Sequence, residues 1–467
     1  MRWAWGMVVL VVLGVACSDT VRRPHLGGDA GPVADAGGGD AGDAGPNDAG
    51  MNDGGAPDAG MNDGGAPADA GVPDGGWVGM WEPLGPPLGH EAQVFPAMAL
   101  DVAGAPLVAY VELVESPGTV ATELHVARLS GSAWEPLGGT VASSIERLPY
   151  SAPLWVRLVT DGSGRPVLAF GDSGPGATVG AFPLHTWAFD GTSWQPLTLP
   201  LTAPQLSGIA LSRGADGQVR LGLSTGRALH LFVLGAAGWT PALTPHMHDA
   251  GVSEPDLALA PDGTLLVAFS EAASPGSFGT LHAVRWTDGG WTDLGLPSPQ
   301  ETGLLFHSPR VGAQSDGGVV VAASEWQYDP FSKIQVGVDV PVFSLGEVGW
   351  SPLDANGAPG GFALSEPIPG APVGLQLAGD VPVVVSTDAD GGVSLRAIRA
   401  SGVPVAAPVL EGMGAGALLL MPDGTPVVGA VTPVTHEIGP TQVDGGQVQL
   451  LHFTGTPASV RLTTRRR

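Results

Sequence analysis

Acidic side chains recur at one position of a sequence repeat, near the end of an apolar run. Two of the seven equivalent positions hold Thr225 and Thr432, and five hold carboxylates. The carboxylates are Glu112, Asp172, Glu271, Glu325 and Asp388. Convergent carboxylates bind hard cations, so one interpretation is a negatively charged crown for Ca²⁺ or a cationic ligand. In the interpretation that we favour, each carboxylate accepts backbone N–H groups of its own loop, because a residue set by a repeat usually serves the repeat.

Histidines form two further patterns. His246 and His248 have the spacing that places two imidazoles on one side of a strand, which makes them candidate metal ligands, although the sequence identifies no third ligand. Five other histidines recur at one repeat position and, being spread around different units, cannot meet at one metal. We predict buried, hydrogen-bonded roles for His125, His185, His230, His282 and His452. No cofactor is expected, with Ca²⁺ as the one alternative.

The apolar runs that carry these residues follow one plan, which recurs about seven times after Gly76. In the clearest copy, runs 257–260 and 265–269 flank an Asp-Gly turn, and runs 281–286 and 291–295 flank a second small turn. Four short strands with Asp-Gly turns at intervals of roughly 50 residues are typical of one propeller sheet. The sequence therefore predicts an all-β fold, a β-propeller of about seven four-stranded blades over residues 77–467, with six or eight blades left open.

Tryptophan opens the fourth strand of most units, at Trp134, Trp194, Trp239, Trp291 and Trp350. Because these residues share one repeat position, we predict that they pack between blades instead of stacking on sugars. A further copy of the fourth-strand pattern, residues 81–85, precedes the first unit. We expect this strand to pair with the last unit and remove an exposed sheet edge.

The connections between strands differ in length. Tight turns join the first strand to the second and the third to the fourth, whereas the other connections are often longer than ten residues. In a radial array of antiparallel strands the two kinds emerge on opposite faces, so the long-loop face is the candidate ligand-binding surface. Besides the five carboxylates, this candidate surface includes Arg310, Trp326, Tyr328 and Tyr150.

Charge and composition restrict the partners. With 19 Lys+Arg against 45 Asp+Glu, the net charge of −26 excludes nucleic acid as a partner. After Cys17, residues 18–76 are rich in Asp, Ala and Gly and contain a tandem decapeptide at 48–57 and 58–67. This segment has no Glu to complete a calcium loop and too few apolar residues to form a core. We predict that residues 17–76 form a disordered tether.

An apolar run, residues 7–16, follows Arg2 and has the length of a secretory signal core, which defines a predicted signal peptide over residues 1–16. Cys17 is the only cysteine and follows the small residues Gly14 and Ala16. This arrangement resembles a bacterial lipoprotein signal, which implies diacylation of Cys17 as the mature N-terminus. Leu13 lies four positions before the cysteine where that family usually has Leu at the third, and an ordinary signal peptidase could cut the same bond.

Ser18 resembles the pattern of lipoproteins sent to the outer membrane. We therefore expect an exported protein, anchored by lipid to that membrane on its periplasmic or cell-surface side.

Small turns such as residues 190–194 resemble the Asp-box hairpins of sialidase-type propellers, although most units lack the leading Ser. The resemblance implies an arginine cluster with a Tyr/Glu pair, for which Arg157, Arg310 and Tyr150 are candidates, but no Arg lies in the family's strand motif. No phosphate loop, nucleotide fingerprint or serine elbow occurs.

We predict a monomeric binding or scaffolding protein without catalysis, whose partner is an unknown envelope protein or glycan. A sialidase-like glycan hydrolase and a structural envelope protein without a ligand are the alternatives.

Overall fold

The computed structural model shows a chain built of β-strands, with no α-helix among the residues that it describes. Those residues are 77–89, 96–116, 119–146, 153–172, 183–201, 206–249, 251–272, 280–287, 290–294, 304–335, 339–353, 368–369, 371–387, 392–398, 404–407, 410, 413–438 and 441–457. The predicted signal peptide, Cys17 and the tether lie outside these ranges, as do Tyr150 and Asp388. No helix in the described ranges is long and apolar enough to cross a membrane.

The strands pair into antiparallel sheets that follow one another along the chain. Two strands, β1 (Trp77–Val78) and β2 (Trp81–Pro83), precede the first full sheet. Sheet A contains β3 to β7: Ala97–Leu100, Pro106–Ser116, Thr119–Ser130, Ala133–Pro136 and Ala142–Glu146. Sheet B contains β8 to β11: Pro153–Thr160, Pro166–Asp172, Leu184–Phe189 and Trp194–Pro196. Sheet C contains β12 to β16: Leu206–Arg213, Val219–Thr225, Ala228–Gly235, Gly238–Pro241 and His246–Met247.

The second half of the body repeats this order. Sheet D contains β17 to β20: Gly251–Leu259, Leu265–Ala272, Thr280–Thr287 and Gly290–Asp293. Sheet E contains β21 to β24: Leu304–Ala313, Val319–Gln335, Asp339–Leu353 and Ile368–Pro369. Sheet F contains β25 to β28: Ala371–Ala378, Val381–Thr387, Val393–Ile398 and Pro404–Ala406. Sheet G contains β29 to β31: Gly414–Leu420, Pro426–Ile438 and Thr441–Phe453, with β2 as its fourth strand, and β32 (Thr456–Pro457) pairs with β1.

The sheets are arranged in a ring. The first strand of each sheet, from β3 to β29, contacts the first strand of the next, and β29 of sheet G contacts β3 of sheet A. This circular order of first strands is the arrangement of a β-propeller, which confirms the prediction of an all-β propeller. The ring closes as predicted, since Trp81 pairs with Phe453 and the Leu84 N–H donates to the Leu450 carbonyl at 2.8 Å. The N-terminal strand thereby covers the outer edge of the last sheet.

The core lies between neighbouring sheets. One buried cluster joins Leu107 and Leu124 of sheet A to Leu168 and Phe170 of sheet B. Both faces of each central strand are covered, so runs such as 265–269 in sheet D are buried at every residue and show no polar alternation. Each fully buried leucine or phenylalanine contributes about 1.5–3 kcal/mol, so the contacts between sheets stabilise the ring.

The repeated tryptophans connect one sheet to the next. The Trp194 indole N–H of sheet B donates to the Leu137 carbonyl after sheet A at 2.7 Å. The Trp239 indole N–H of sheet C donates to the Thr186 hydroxyl of sheet B at 3.0 Å, and both rings are buried. These contacts confirm the predicted packing role of the tryptophans between blades.

The Asp-Gly turns close the first hairpin of every sheet except sheet F, where Gly379 and Asp380 form the turn. In sheet D the Asp262 carboxylate accepts the Thr264 N–H at 2.8 Å, and hydrogen bonds from the Thr264 backbone and side chain lower the pKa of Asp262. Gly263 has φ +86°, a conformation that residues with a Cβ rarely adopt. Equivalent carboxylate-to-backbone bonds occur at Asp101, Asp161, Asp216, Asp316 and Asp423.

Gly263→Ala should destabilise the fold by about 1–2 kcal/mol, because a Cβ strains left-handed backbone. No atom lies within 4 Å of the position that this Cβ would take, so steric contact adds nothing to the cost. Gly235→Ala, in the strand β14, is the matched control and should change stability little. Denaturant unfolding of both variants tests this expectation, and equal midpoints would contradict it.

Candidate functional site

Irregularities in the first strands distinguish some sheets from others. In sheets B, D and E the pairing with the second strand skips two residues of the first strand. The skipped residues lie between Leu154 and Arg157 in sheet B, between Ser253 and Asp256 in sheet D, and between His307 and Arg310 in sheet E. In sheets C, F and G it skips a single residue, and the next paired residue is Gly208, Gly374 or Ala417. Bulges re-aim the side chains that follow them. The wider irregularity therefore coincides with a charged side chain, and the narrower one with a very small residue.

The backbone is strained at the same three places. Trp155, Glu254 and Ser308 have φ of 52°, 50° and 50°, and no other non-glycine residue in the described ranges has positive φ. Each lies two residues before the charged residue of its strand. Such conformations cost on the order of 1–3 kcal/mol and persist where the surrounding structure imposes them, often at functional sites.

Four charged side chains lie at the wide bulges of the first strands in sheets B, D and E, and we call Arg157, Glu254, Asp256 and Arg310 the axial cluster. Glu254 Oε2 accepts the Ser308 N–H at 2.7 Å, so a carboxylate of sheet D holds the strained backbone of sheet E. Asp256 Oδ2 likewise accepts the Val311 N–H at 2.9 Å. The carboxylates thus fix the bulge that positions Arg310.

The two arginines are held by backbone carbonyls. Arg310 donates from Nε to the Val373 carbonyl of sheet F at 3.3 Å and from Nη1 to the Pro309 carbonyl at 2.8 Å. Arg157 donates from Nη1 to the Val156 carbonyl at 3.0 Å. Fixed guanidinium groups lose little further freedom when they bind a ligand.

The electrostatics of Arg157 connect it to charges of two other sheets. The pKa of Arg157 is lowered to about 10, mainly by desolvation and then by the charge of Arg310, while the charges of Asp256 and Glu254 oppose the shift. These partners belong to sheets D and E, two and three places from sheet B around the ring. Arg157 stays protonated at neutral pH, so two guanidinium charges lie close together in a partly dehydrated place.

The repeated carboxylates contact the repeated histidines. In sheet D, Glu271 Oε2 lies 2.9 Å from His282 Nε2. In sheet A, Glu112 Oε2 lies 3.8 Å from His125 Nε2, and Glu123 Oε2 is nearer to the same nitrogen, at 3.2 Å. In sheet C, Thr225 takes the place of the acid and shares a 2.8 Å hydrogen bond with His230. The two sequence patterns therefore meet within sheets C and D, where the residue at the repeated acidic position contacts the repeated histidine. Glu112 and Glu271 each lie beside a histidine of their own sheet.

His246 and His248 lie together at the boundary of sheets C and D. Their rings are 4.4 Å apart, His246 stacks on Trp291 at 5.1 Å, and His248 Nδ1 lies 3.7 Å from Glu271 Oε1. Desolvation is the main cause that lowers the pKa of both His246 and His248. No group of three or more His, Cys, Asp or Glu within the described part of the chain has metal-site geometry.

The remaining candidates of the long-loop face are placed only in part. Asp172 ends β9, and Glu325, Trp326 and Tyr328 lie in β22, but their side chains lie outside what the structure describes, as Tyr150 and Asp388 do entirely. Arg310 belongs to the axial cluster. Asp256 and Arg157 are not part of the ligand-binding surface that the sequence predicts. In the sequence, Asp256 and Arg157 are recognisable as charged residues within first strands that are otherwise mostly apolar.

Comparison with known proteins supports the fold. No protein-family model matches the chain, and no curated protein matches it. An ulvan lyase of a new polysaccharide lyase family is 12% identical, with 80% of this chain and 96% of that protein covered and a TM-score of 0.50. A Penicillium chrysogenum α-L-arabinanase complexed with arabinobiose is 16% identical, with coverage of 65% and 95% and a TM-score of 0.41. The Aleuria aurantia lectin in complex with Fucα1-6GlcNAc is 12% identical, with coverage of 68% and 96% and a TM-score of 0.39.

At these identities the likeness concerns the fold alone. The chain is a β-propeller protein, and its site has to be interpreted from its own residues.

Acidification should destabilise the contact between sheets C and D. The folded-state pKa of His248 lies below its unfolded value near 6.5, so the unfolded chain binds the proton more readily. The stability that this histidine contributes is complete above that pH and decreases as pH falls below it. Thermal melts from pH 7.5 to 5 should show a smaller loss in His248→Gln than in the wild type.

The control for this prediction is His185→Gln, which replaces a histidine stacked on Phe170 in sheet B. Its acid sensitivity should match that of the wild type. Identical pH profiles for all three proteins would show that His248 does not carry the effect.

Proposed function

We propose that this protein is a lipid-anchored binding protein of the cell envelope whose seven-bladed propeller holds its ligand at the axial cluster, without catalysis. The observation that carries the proposal is the departure of sheets B, D and E from the repeat, because all three place a charged residue at the same point of the first strand. A feature required only for folding would recur in every sheet. The seven first strands from β3 to β29, in contact around the ring, support the number of blades.

The position of the cluster along the axis favours the long-loop face. The bulges lie in the first halves of β8, β17 and β21, whereas the Asp-Gly turns follow the ends of these strands. Val252 pairs with Glu271, so the beginning of β17 and the end of β18 lie at the same end of sheet D, the end that belongs to the long-loop face. A ligand at the long-loop face would therefore meet the arginines first.

Attachment to the membrane rests on the sequence alone. The apolar run 7–16, the single Cys17 and the Asp-rich tether 18–76 support export, lipidation and a flexible spacer that keeps the propeller away from the lipid surface. We place the anchor in the outer membrane, with the propeller on its periplasmic or cell-surface side.

Replacing Cys17 with Ser should abolish lipid attachment, because the acylated thiol is lost. Metabolic labelling with a palmitate analogue and fractionation of membranes should then show an unlabelled protein that has left the membrane fraction. Ser18→Ala is the control and should remain labelled. A Cys17→Ser protein that is still labelled and membrane-bound would contradict the proposed anchor.

Binding should depend on the axial arginines. On arrays of envelope glycans and proteins, the purified Cys17→Ser chain should bind a ligand, and Arg310→Ala in that background should weaken binding about tenfold or more, since hydrogen bonds to charged groups contribute about 1.5–3 kcal/mol. Arg220→Ala, at the start of β13 where Arg220 pairs with Asp216 of the preceding turn at 2.8 Å, is the control and should bind normally. Equal binding by both variants would contradict a site at the axis.

Glycan hydrolysis is the second candidate, because two carboxylates lie beside the arginines in the axial cluster. Each of them already uses one oxygen to hold the backbone of sheet E, which favours binding over catalysis. A screen with fluorogenic glycosides distinguishes the two functions. Turnover that disappears in Arg310→Ala would replace the binding proposal with an enzyme.

A further inference from the structure

This inference rests on the proposed binding function and specifies the ligand. We propose that the axial cluster binds an oxyanion group of the ligand, a carboxylate, sulfate or phosphate, between the guanidinium groups of Arg157 and Arg310.

The two arginines lack acidic partners at close range. Within the described residues, no carboxylate oxygen forms an ion pair with Arg157 or Arg310, and their hydrogen bonds go to the backbone carbonyls of Val156, Pro309 and Val373. These bonds leave Nη2 of both residues and Nε of Arg157 without a described acceptor. Each guanidinium is thus fixed in place with N–H groups still available.

Other arginines of this acidic protein do have carboxylate partners. Arg128 lies 2.8 Å from Glu135, Arg165 lies 2.9 Å from Asp161, and Arg220 lies 2.8 Å from Asp216. With 45 acidic residues in the chain, a partner for an arginine is easily supplied. Arg213 also has no carboxylate partner within the described residues and donates to the Thr160 hydroxyl at 3.2 Å. The axial site is distinguished by two such arginines whose charges act on each other.

The carboxylates of the cluster are directed elsewhere. Glu254 and Asp256 accept backbone N–H groups of sheet E at 2.7 and 2.9 Å. They act on Arg157 through space and oppose the effect of Arg310 without forming an ion pair with it. The site therefore holds two like charges in partly dehydrated surroundings, which is costly unless an anion arrives.

An oxyanion satisfies these conditions. Guanidinium groups present a planar set of N–H donors that matches the oxygens of a carboxylate, sulfate or phosphate. A group bound between two arginines would also relieve their mutual repulsion. A neutral hydroxyl-rich ligand would accept hydrogen bonds but would leave the two charges uncompensated.

Stabilisation by inorganic anions tests the inference without knowledge of the natural ligand. At constant ionic strength, phosphate and sulfate should raise the melting temperature of the full chain relative to chloride. In Arg157→Met and Arg310→Met most of this rise should be lost, whereas Arg220→Met should keep it. An equal rise in all four proteins, or no rise in the wild type, would overturn the inference.

The anion-free proteins separate a binding role from a structural one. Because Arg157 is dehydrated and lies near a like charge, Arg157→Met should melt at the same temperature as the wild type or higher when only chloride is present. A clearly lower melting temperature would mean that Arg157 is needed for folding, and this would overturn its assignment as an unpaired ligand-binding group.

Oligogalacturonate and its methyl ester distinguish the source of the oxyanion. If the oxyanion is a glycan carboxylate, the acid form should bind at least about tenfold more tightly than the neutral ester, and this preference should be lost in both axial variants. Stabilisation by phosphate without binding of oligogalacturonate would support the oxyanion site and assign it to another anionic ligand.

The two proposals fail in different ways. If the wild type binds a neutral ligand from the array and the axial variants bind it equally well, the oxyanion inference is wrong while the binding function stands. If arrays give no ligand although phosphate stabilises the wild type selectively, the anion site stands and the broader binding proposal fails.

Discussion

Packing of apolar sheets against one another around a closed ring is the constraint on which this structure depends. Each sheet has two apolar faces and cannot bury both by itself, so it needs a neighbour on each side. The ring supplies these neighbours, and β2 closes the edge of the last sheet. Because the faces are used for packing, the positions left for recognition are loop ends, turns and the inner edges of the first strands.

The repeat and its exceptions have different roles. Features present in many sheets, such as the Asp-Gly turns, the fourth-strand tryptophans and the paired acid and histidine, serve the sheets that contain them. The wide bulges at Trp155, Glu254 and Ser308 occur in three sheets and bring together charges that are far apart in sequence. In sheet C the corresponding place needs Gly208, whose added Cβ would lie 2.6 Å from Pro255 of sheet D. The ring can therefore carry a bulky charged group only where the next strand leaves room.

Local patterns made much of the fold predictable. Gly263 with Asp262 predicts a tight turn from its own chemistry, and the early strand around Trp81 predicts closure because a ring needs a partner for its last edge. The site was harder to predict. Arg310 was a candidate only because it lies near a long loop, and Glu112 and Glu271 were interpreted as a crown or as caps, whereas in the structure each lies beside a histidine of its own sheet.

The sequence by itself determined the strands, the turns, the all-β propeller and the closing strand, because these follow from hydrophobic period, turn residues and the need to cover edges. The tertiary structure alone decided which charges meet. Arg157 and Arg310 are separated by 153 positions in the chain, and their proximity depends on how the ring curves and on where a bulge redirects a side chain. Neither property is a local preference of the residues, so only the assembled ring reveals the axial cluster.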